Sequence, residues 1–115
     1  MIRRVEHLMG TAIGIEVDDT EVSDAAVDAA FRRLAAIEAR FSTYRPHSEV
    51  SRFGRGEIGD DALSSELRKV LQMCEMVRVS SRGAFDVRRH RRDGRIDPSG
   101  LVKGWAVEEA AEVLE

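Results

Sequence analysis

Residues 97–104, D-P-S-G-L-V-K-G, contain the residue types best suited to chemistry in this sequence. Ser99 or Gly100 can start a helix, whose first turn presents free N–H groups and about half a positive charge, and Lys103 adds a full charge. Such a helix start stabilises a phosphate. Asp97 can accept hydrogen bonds from a ligand N–H or a ribose hydroxyl. The segment predicts either an anion-binding helix start or an ordinary helix with a surface lysine.

Two other segments contain groups that could contact a ligand. Tyr44 is the only tyrosine and lies in a predicted loop, where its ring could stack on a planar ligand or be an ordinary surface side chain. Residues 88–95 are the densest run of charge and fit either a solvated hairpin turning at Asp93 and Gly94 or a contact with nucleic-acid phosphates. Because no aromatic residue interrupts these arginines, a single-strand stacking platform is not indicated.

The composition excludes several classes of protein. A chain of 115 residues with 43% apolar residues and a net charge of −3 predicts one domain without a general attraction to nucleic acid or anionic membranes. The three histidines lack paired spacing, which argues against a histidine metal site. Cys74 is the only cysteine, so a disulfide framework is excluded, and its apolar neighbours at helical spacing predict a buried side chain. Without a leader or a membrane span in the sequence, we expect a cytoplasmic protein.

Hydrophobic periodicity predicts the elements that position these residues. Residues 11–17 alternate as a half-buried strand, with Ile13, Ile15 and Val17 on one face. Three long amphipathic helices follow, with one helical turn expected over residues 48–53. The residues that mark the helix ends are Ser23 and Ser64 as N-caps, Gly83 as the stop of the second helix, and Ser99 or Gly100 as the start of the third. Residues 84–87 and 95–97 are expected to pair as short strands that bring Asp86 close to Asp97.

This order predicts an α+β fold, with helices packed on a small, mainly antiparallel sheet. The third helix runs to the last residue without a cap, and its apolar face includes Trp105, Val113 and Leu114. We therefore expect a truncated domain whose exposed apolar face is covered by a second copy of the chain, as a possible homo-oligomer.

Four segments together resemble, in order, the motifs of the ApbE family of flavin transferases. They are residues 7–11 (H-L-M-G-T), residues 41–53 (F-S-T-Y-R-P-H-S-E-V-S-R-F), residues 83–87 (G-A-F-D-V) and residues 97–107 (D-P-S-G-L-V-K-G-W-A-V). Each motif alone is weak evidence for the family. The four together are strong evidence, because they occur in order over nearly the whole chain. The resemblance implies that residues 1–115 are one domain, the N-terminal portion of an incomplete ApbE-like domain.

The resemblance also implies an activity and a set of binding residues. FAD:protein FMN transferases move FMN from FAD to a serine or threonine hydroxyl of a target flavoprotein and release AMP, with Mg²⁺ bridging the pyrophosphate. The residues implied to bind FAD are Met9, Tyr44, Ala84, Phe85, Asp86, Asp97 and Lys103. The backbone carbonyl of Gly100 is implied as a ligand of Mg²⁺, and no catalytic residue is assigned. The family's older description implies a link to thiamine biosynthesis.

The sequence departs from the family pattern in two places. Only residues 88–96 separate the third and fourth motifs, where most family members have a longer insertion with aromatic residues. The family's side-chain metal ligands belong to motifs that would follow residue 115, so we expect the chain to be inactive alone. Two alternatives stay open, a Mg²⁺-dependent FAD pyrophosphatase and a non-catalytic interaction module that uses the arginine-rich hairpin.

Overall fold

The computed structural model describes residues 2–8, 11–18, 21–88 and 97–115. In these ranges the elements are β1 (Ile2–Leu8), β2 (Thr11–Val17), α1 (Asp24–Phe41), α2 (Glu49–Gly54), a 3₁₀ turn (Asp60–Ala62), α3 (Ser65–Ser80) and α4 (Ser99–Leu114). β1 and β2 form an antiparallel pair in which Val5 lies opposite Gly14. The fold is therefore α+β with a small antiparallel sheet, which confirms the predicted class.

The chain divides into two compact units. One contains Met1–Glu38 and Lys103–Glu115, and the other contains Ala39–Val102. The prediction that residues 1–115 form one domain stays a prediction. No helix in the described part of the chain is long and apolar enough to cross a membrane.

Strand β1 is an element that the sequence pattern did not indicate. Its half-buried positions include Arg4 and Glu6, so charged residues interrupt the alternation that identifies a strand. The Arg4 guanidinium pairs with Glu6 at 2.9 Å and with Asp28 of α1. It also lies 5.1 Å from the centre of the Phe31 ring. These contacts let a charged residue occupy an inward position, because its charge is paired and its stem covers apolar surface.

The core of the first unit is formed by the predicted stripe of α1 and one face of α4. The buried residues include Val27, Ala30, Phe31, Leu34, Ile37, Trp105, Ala106 and Ala110. Trp105 is only 6% exposed, so the expectation that it lies on an open apolar face is wrong. The Arg33 guanidinium lies 5.6 Å from the Trp105 ring centre and pairs with Glu109 at 3.2 Å. Val113 remains 38% exposed.

The second unit has its own core. It contains Phe41, Val50, Leu67, Val70, Cys74, Pro98 and Val102, all buried. The predicted burial of Cys74 is confirmed, and burial raises the pKa of its thiol to about 11. A thiol with such a pKa is almost entirely protonated near neutral pH, so Cys74 is a core side chain here.

The turn that ends α3 contains Gly83, as predicted, and a second residue with a positive φ, Arg82. The Gly83 N–H donates to the Arg78 carbonyl at 2.9 Å, and the Arg82 N–H donates to the Val79 carbonyl at 3.1 Å. This pair of bonds is a Schellman motif. Gly83 has a φ of 84°, but the left-handed conformation begins one residue earlier, at Arg82 with a φ of 55°.

The segment after this turn is not the predicted strand. Residues 84–87 form bends and a turn. The Phe85 N–H donates to the Ser81 hydroxyl at 3.0 Å, and the Asp86 carboxylate accepts from the Arg88 N–H at 3.0 Å. Local side chains thus satisfy backbone groups that a strand would pair across a ladder. The predicted hairpin at Asp93 and Gly94, and residues 95 and 96 of its returning strand, lie outside the described residues.

Candidate functional site

The segment of residues 84–87 lies directly beside the start of α4. The Asp97 N–H donates to the Val87 carbonyl at 2.7 Å. This bond connects two segments that are ten positions apart in the sequence, and it confirms the expected closeness of Asp86 and Asp97. Two of the candidate ligand-binding segments therefore form one local structure in the second unit.

Phe85 approaches the backbone of α4 at Gly100. A Cβ placed on Gly100 would lie 3.4 Å from Cε2 of the half-buried Phe85 ring. This is an ordinary contact distance, so the ring covers the first turn of the helix closely without requiring glycine there. No described atom lies within 4 Å of a Cβ placed on Gly104, so the space beside that second glycine is open.

The Asp97 carboxylate caps the start of α4. Its Oδ1 accepts hydrogen bonds from the Ser99 N–H at 3.1 Å and from the Ser99 hydroxyl. Its Oδ2 makes no hydrogen bond to any described residue. One oxygen of this carboxylate is therefore used structurally, while the other can accept a hydrogen bond from a ligand.

The start of α4 has fewer free N–H groups than the sequence suggested. The Leu101 and Val102 N–H groups both donate to the Pro98 carbonyl at 3.0 Å, and the Ser99 N–H donates to Asp97. Among the described residues, the Gly100 N–H has no acceptor, and Gly100 is exposed. Of the backbone donors in the predicted anion site, only the Gly100 N–H therefore remains available among the described residues.

The remaining predicted binding residues are distributed over both units. Lys103 is exposed on α4 and belongs to the first unit, whereas Ala84 is exposed in the second unit. Met9 lies outside the described residues. Tyr44 is 93% exposed in the loop between α1 and α2.

The loop that contains Tyr44 is closed by its own hydrogen bonds. The buried Ser48 hydroxyl donates to the Ser42 carbonyl at 2.7 Å, and the Ser48 N–H donates to the Arg45 carbonyl at 3.1 Å. The Ser42 hydroxyl accepts from the Tyr44 N–H at 3.3 Å. Sequence reasoning did not assign a role to Ser48, although a serine at the start of a predicted helical turn is a signal for an N-cap.

Glu49 connects this loop to the start of α3. Its carboxylate accepts from the Ser64 N–H at 2.9 Å and from the Ser64 hydroxyl. The Ser64 hydroxyl in turn accepts from the Leu67 N–H at 3.1 Å and caps α3. The Arg40 Nε lies 3.7 Å from the Glu49 Oε1, and the Arg40 guanidinium also pairs with Glu66. The polar residues of the second motif therefore connect α1, α2 and α3 around the loop.

The described residues do not make up a metal site. They contain no group of three His, Cys, Asp or Glu side chains that could hold a metal ion. Gly100, whose carbonyl was predicted to bind Mg²⁺, lies in the first turn of α4. It would provide one oxygen of the roughly octahedral set that Mg²⁺ requires.

The fold of the chain matches the folds of known proteins. The chain is similar in structure to the flavin transferase ApbE from Vibrio cholerae, with a TM-score of 0.82 at 20% identity, covering 98% of this chain and 52% of that one. A histidine-to-glycine mutant of that enzyme matches with a TM-score of 0.81 at 19% identity, over 98% and 56% of the two chains. The chain thus spans about half the length of these solved chains.

The structural similarity shows a shared fold. No curated protein matches the chain. The sequence model of the ApbE family matches residues 9–92. Because this match covers more than half of its residues, the chain belongs to the ApbE family.

Proposed function

We propose that the chain provides FAD-binding residues of a FAD:protein FMN transferase, which moves FMN from FAD to a serine or threonine hydroxyl of a target flavoprotein. AMP is the leaving group in this reaction. Membership of the ApbE family and the fold shared with the Vibrio cholerae flavin transferase support the proposal. The observation that carries it is the hydrogen bond from Asp97 to Val87, which joins two of the motifs at the start of α4.

Each group has a defined part in the proposed binding of FAD. The Oδ2 of Asp97, which has no partner among the described residues, accepts a hydrogen bond from a ribose hydroxyl or a ring N–H, and the Gly100 N–H donates to a pyrophosphate oxygen. Lys103 contributes positive charge to the same pyrophosphate. The exposed Tyr44 ring stacks on a planar ring of FAD. Met9 and residues 84–86 complete the proposed binding set.

A bound Mg²⁺ would neutralise charge on the pyrophosphate and polarise its phosphoryl oxygens. Among the described residues, no group of three His, Cys, Asp or Glu side chains could hold it. The residues of this chain therefore act in the proposal by binding and orienting FAD.

Calorimetric titration of the chain with FAD in the presence of Mg²⁺ tests the proposal, using Asp97→Asn as the main variant. Asparagine makes the same type of Asx turn as aspartate, so its side-chain carbonyl can still accept from the Ser99 N–H at the start of α4. The amide replaces Oδ2 by a donor, and we expect FAD affinity to fall about tenfold, equivalent to about 1.4 kcal/mol. Asp61→Asn, an exposed acid in the same unit, is the matched control and should not change affinity.

Two results would contradict the proposal. One is the absence of saturable binding by the wild-type chain up to about 1 mM FAD, the concentration that corresponds to about −4 kcal/mol. The other is an equal loss of affinity in Asp97→Asn and Asp61→Asn. If a target flavoprotein is added, a flavin transferase attaches FMN to it as AMP appears, whereas a FAD pyrophosphatase releases FMN and AMP without an acceptor.

A further inference from the structure

The loop of residues 42–48 combines an exposed aromatic ring with a backbone held by hydrogen bonds. Tyr44 is 93% exposed, yet the backbone on both sides of it is held by hydrogen bonds within the loop. A surface segment that few contacts hold in place is usually mobile. Here the backbone is held while the ring remains accessible.

The hydroxyl of Ser48 is the centre of this arrangement. It donates to the Ser42 carbonyl at 2.7 Å and accepts from the Ser51 N–H at 3.2 Å, and it lies 2.9 Å from the Ser51 hydroxyl. A hydroxyl has one donor and two acceptor sites, so these contacts use its full capacity. Ser48 is 2% exposed, which keeps water from replacing these bonds. One side chain therefore caps α2 and closes the loop that precedes it.

We propose that Ser48 is a positioning residue for FAD binding, because it holds the loop of residues 42–48 in the conformation that presents Tyr44 to the ligand. This inference rests on the proposed function. Binding that must first order a loop is weakened by the entropy lost in ordering it, and a loop that is already ordered avoids that loss. The contact that matters is the bond from the Ser48 hydroxyl to the Ser42 carbonyl, since it spans the two ends of the loop.

A purely structural role for Ser48 predicts a different outcome. As the N-cap of the short helix α2, Ser48 would contribute to the stability of the fold and leave the loop unaffected. Ser64 offers a matched comparison, because it caps α3 through the same type of bond, to the Leu67 N–H, in the same unit. Ser48→Ala and Ser64→Ala each remove a helix cap, and Ser64→Ala also removes a bond to Glu49, but only Ser48→Ala removes the Ser48 bond that closes the loop around Tyr44.

The experiment measures the mobility of Tyr44 and the affinity for FAD in the same proteins. Because Tyr44 is the only tyrosine, labelling with ¹⁵N-tyrosine yields one backbone amide signal, whose relaxation reports the order of the loop. We expect an order parameter of about 0.85 in the wild type and in Ser64→Ala, and below about 0.6 in Ser48→Ala. FAD binding, measured by calorimetry, should weaken about tenfold in Ser48→Ala and remain unchanged in Ser64→Ala.

The outcomes separate this inference from the proposed function. Equal FAD affinity in the wild type and Ser48→Ala, or an equal loss in both alanine variants, overturns the positioning role while FAD binding stands. Absence of FAD binding by the wild type overturns both. If Ser48→Ala does not fold, the nearly isosteric Ser48→Cys replaces it, since a thiol is a weak donor and should give the same loosening of Tyr44.

Discussion

Replacing Arg82 by glycine should stabilise the protein, although most substitutions destabilise. Arg82 has a φ of 55° in the turn that ends α3, and its side chain is exposed. The left-handed conformation costs a residue with a Cβ about 1–2 kcal/mol. Glycine avoids this cost but loses about 0.5–1 kcal/mol more than other residues through its greater freedom in the unfolded chain. The difference predicts a net gain of about 0.5–1 kcal/mol for Arg82→Gly.

Urea unfolding followed by circular dichroism tests this prediction. The midpoint should rise with an unchanged slope, and the melting temperature should rise by about 2–4 °C. Lys69→Gly is the matched control, since it removes an exposed cationic side chain from the interior of α3 and should cost about 1 kcal/mol. A lower midpoint for Arg82→Gly, or the same sign of change in both variants, would refute the assignment of backbone strain to Arg82.

Three further predictions concern the binding residues and the core. Lys103→Met would remove the proposed charge-assisted contact with FAD, worth about 1.5–3 kcal/mol, so FAD affinity measured by calorimetry should fall about tenfold to a hundredfold. Lys69→Met, at the only other lysine, is the control and should not change the affinity. The pKa of Cys74 is raised to about 11 in the folded protein, so its contribution to stability is complete below the unfolded pKa of about 8.5 and lost as pH rises through 11. The free energy of unfolding should therefore decrease more steeply above pH 9 in the wild type than in Cys74→Ala. Gly104→Ala should raise stability by about 1 kcal/mol, since the space beside Gly104 is open, and a simultaneous loss of FAD binding would place the ligand there.

Local sequence signals predicted most of the helical framework correctly. Ser64 caps α3 as predicted, and the Ser23 hydroxyl lies 3.2 Å from the Ala26 N–H at the start of α1. The single helical turn after Ser48 and the start of α4 at Ser99 also agree with the structure. Caps and helical periodicity depend on residues three or four positions apart, so the sequence itself contains the partners of these interactions.

The errors arose where the partner of a residue is distant in the sequence. Strand β1 was missed because Arg4 is inward-facing only in the presence of Asp28 and Phe31 on α1. Trp105 was expected to be exposed, but it is buried with Arg33, which is more than seventy positions away, over its ring. Pairing of this kind depends on tertiary packing, which overrides the local pattern of a strand or a helix face.

For the candidate site too, the sequence determined some features and only the structure decided the others. The sequence by itself determined which segments carry the proposed binding residues, because the motifs around Tyr44, Phe85 and Asp97 are contiguous and their chemistry is that of the side chains they contain. Only the tertiary structure decided how many groups remain available to a ligand. It uses Oδ1 of Asp97 to cap α4 and leaves Oδ2 available, and it closes the Tyr44 loop through Ser48. The physical reason is that each donor and acceptor has a limited number of hydrogen bonds, and the fold decides which of them are already made.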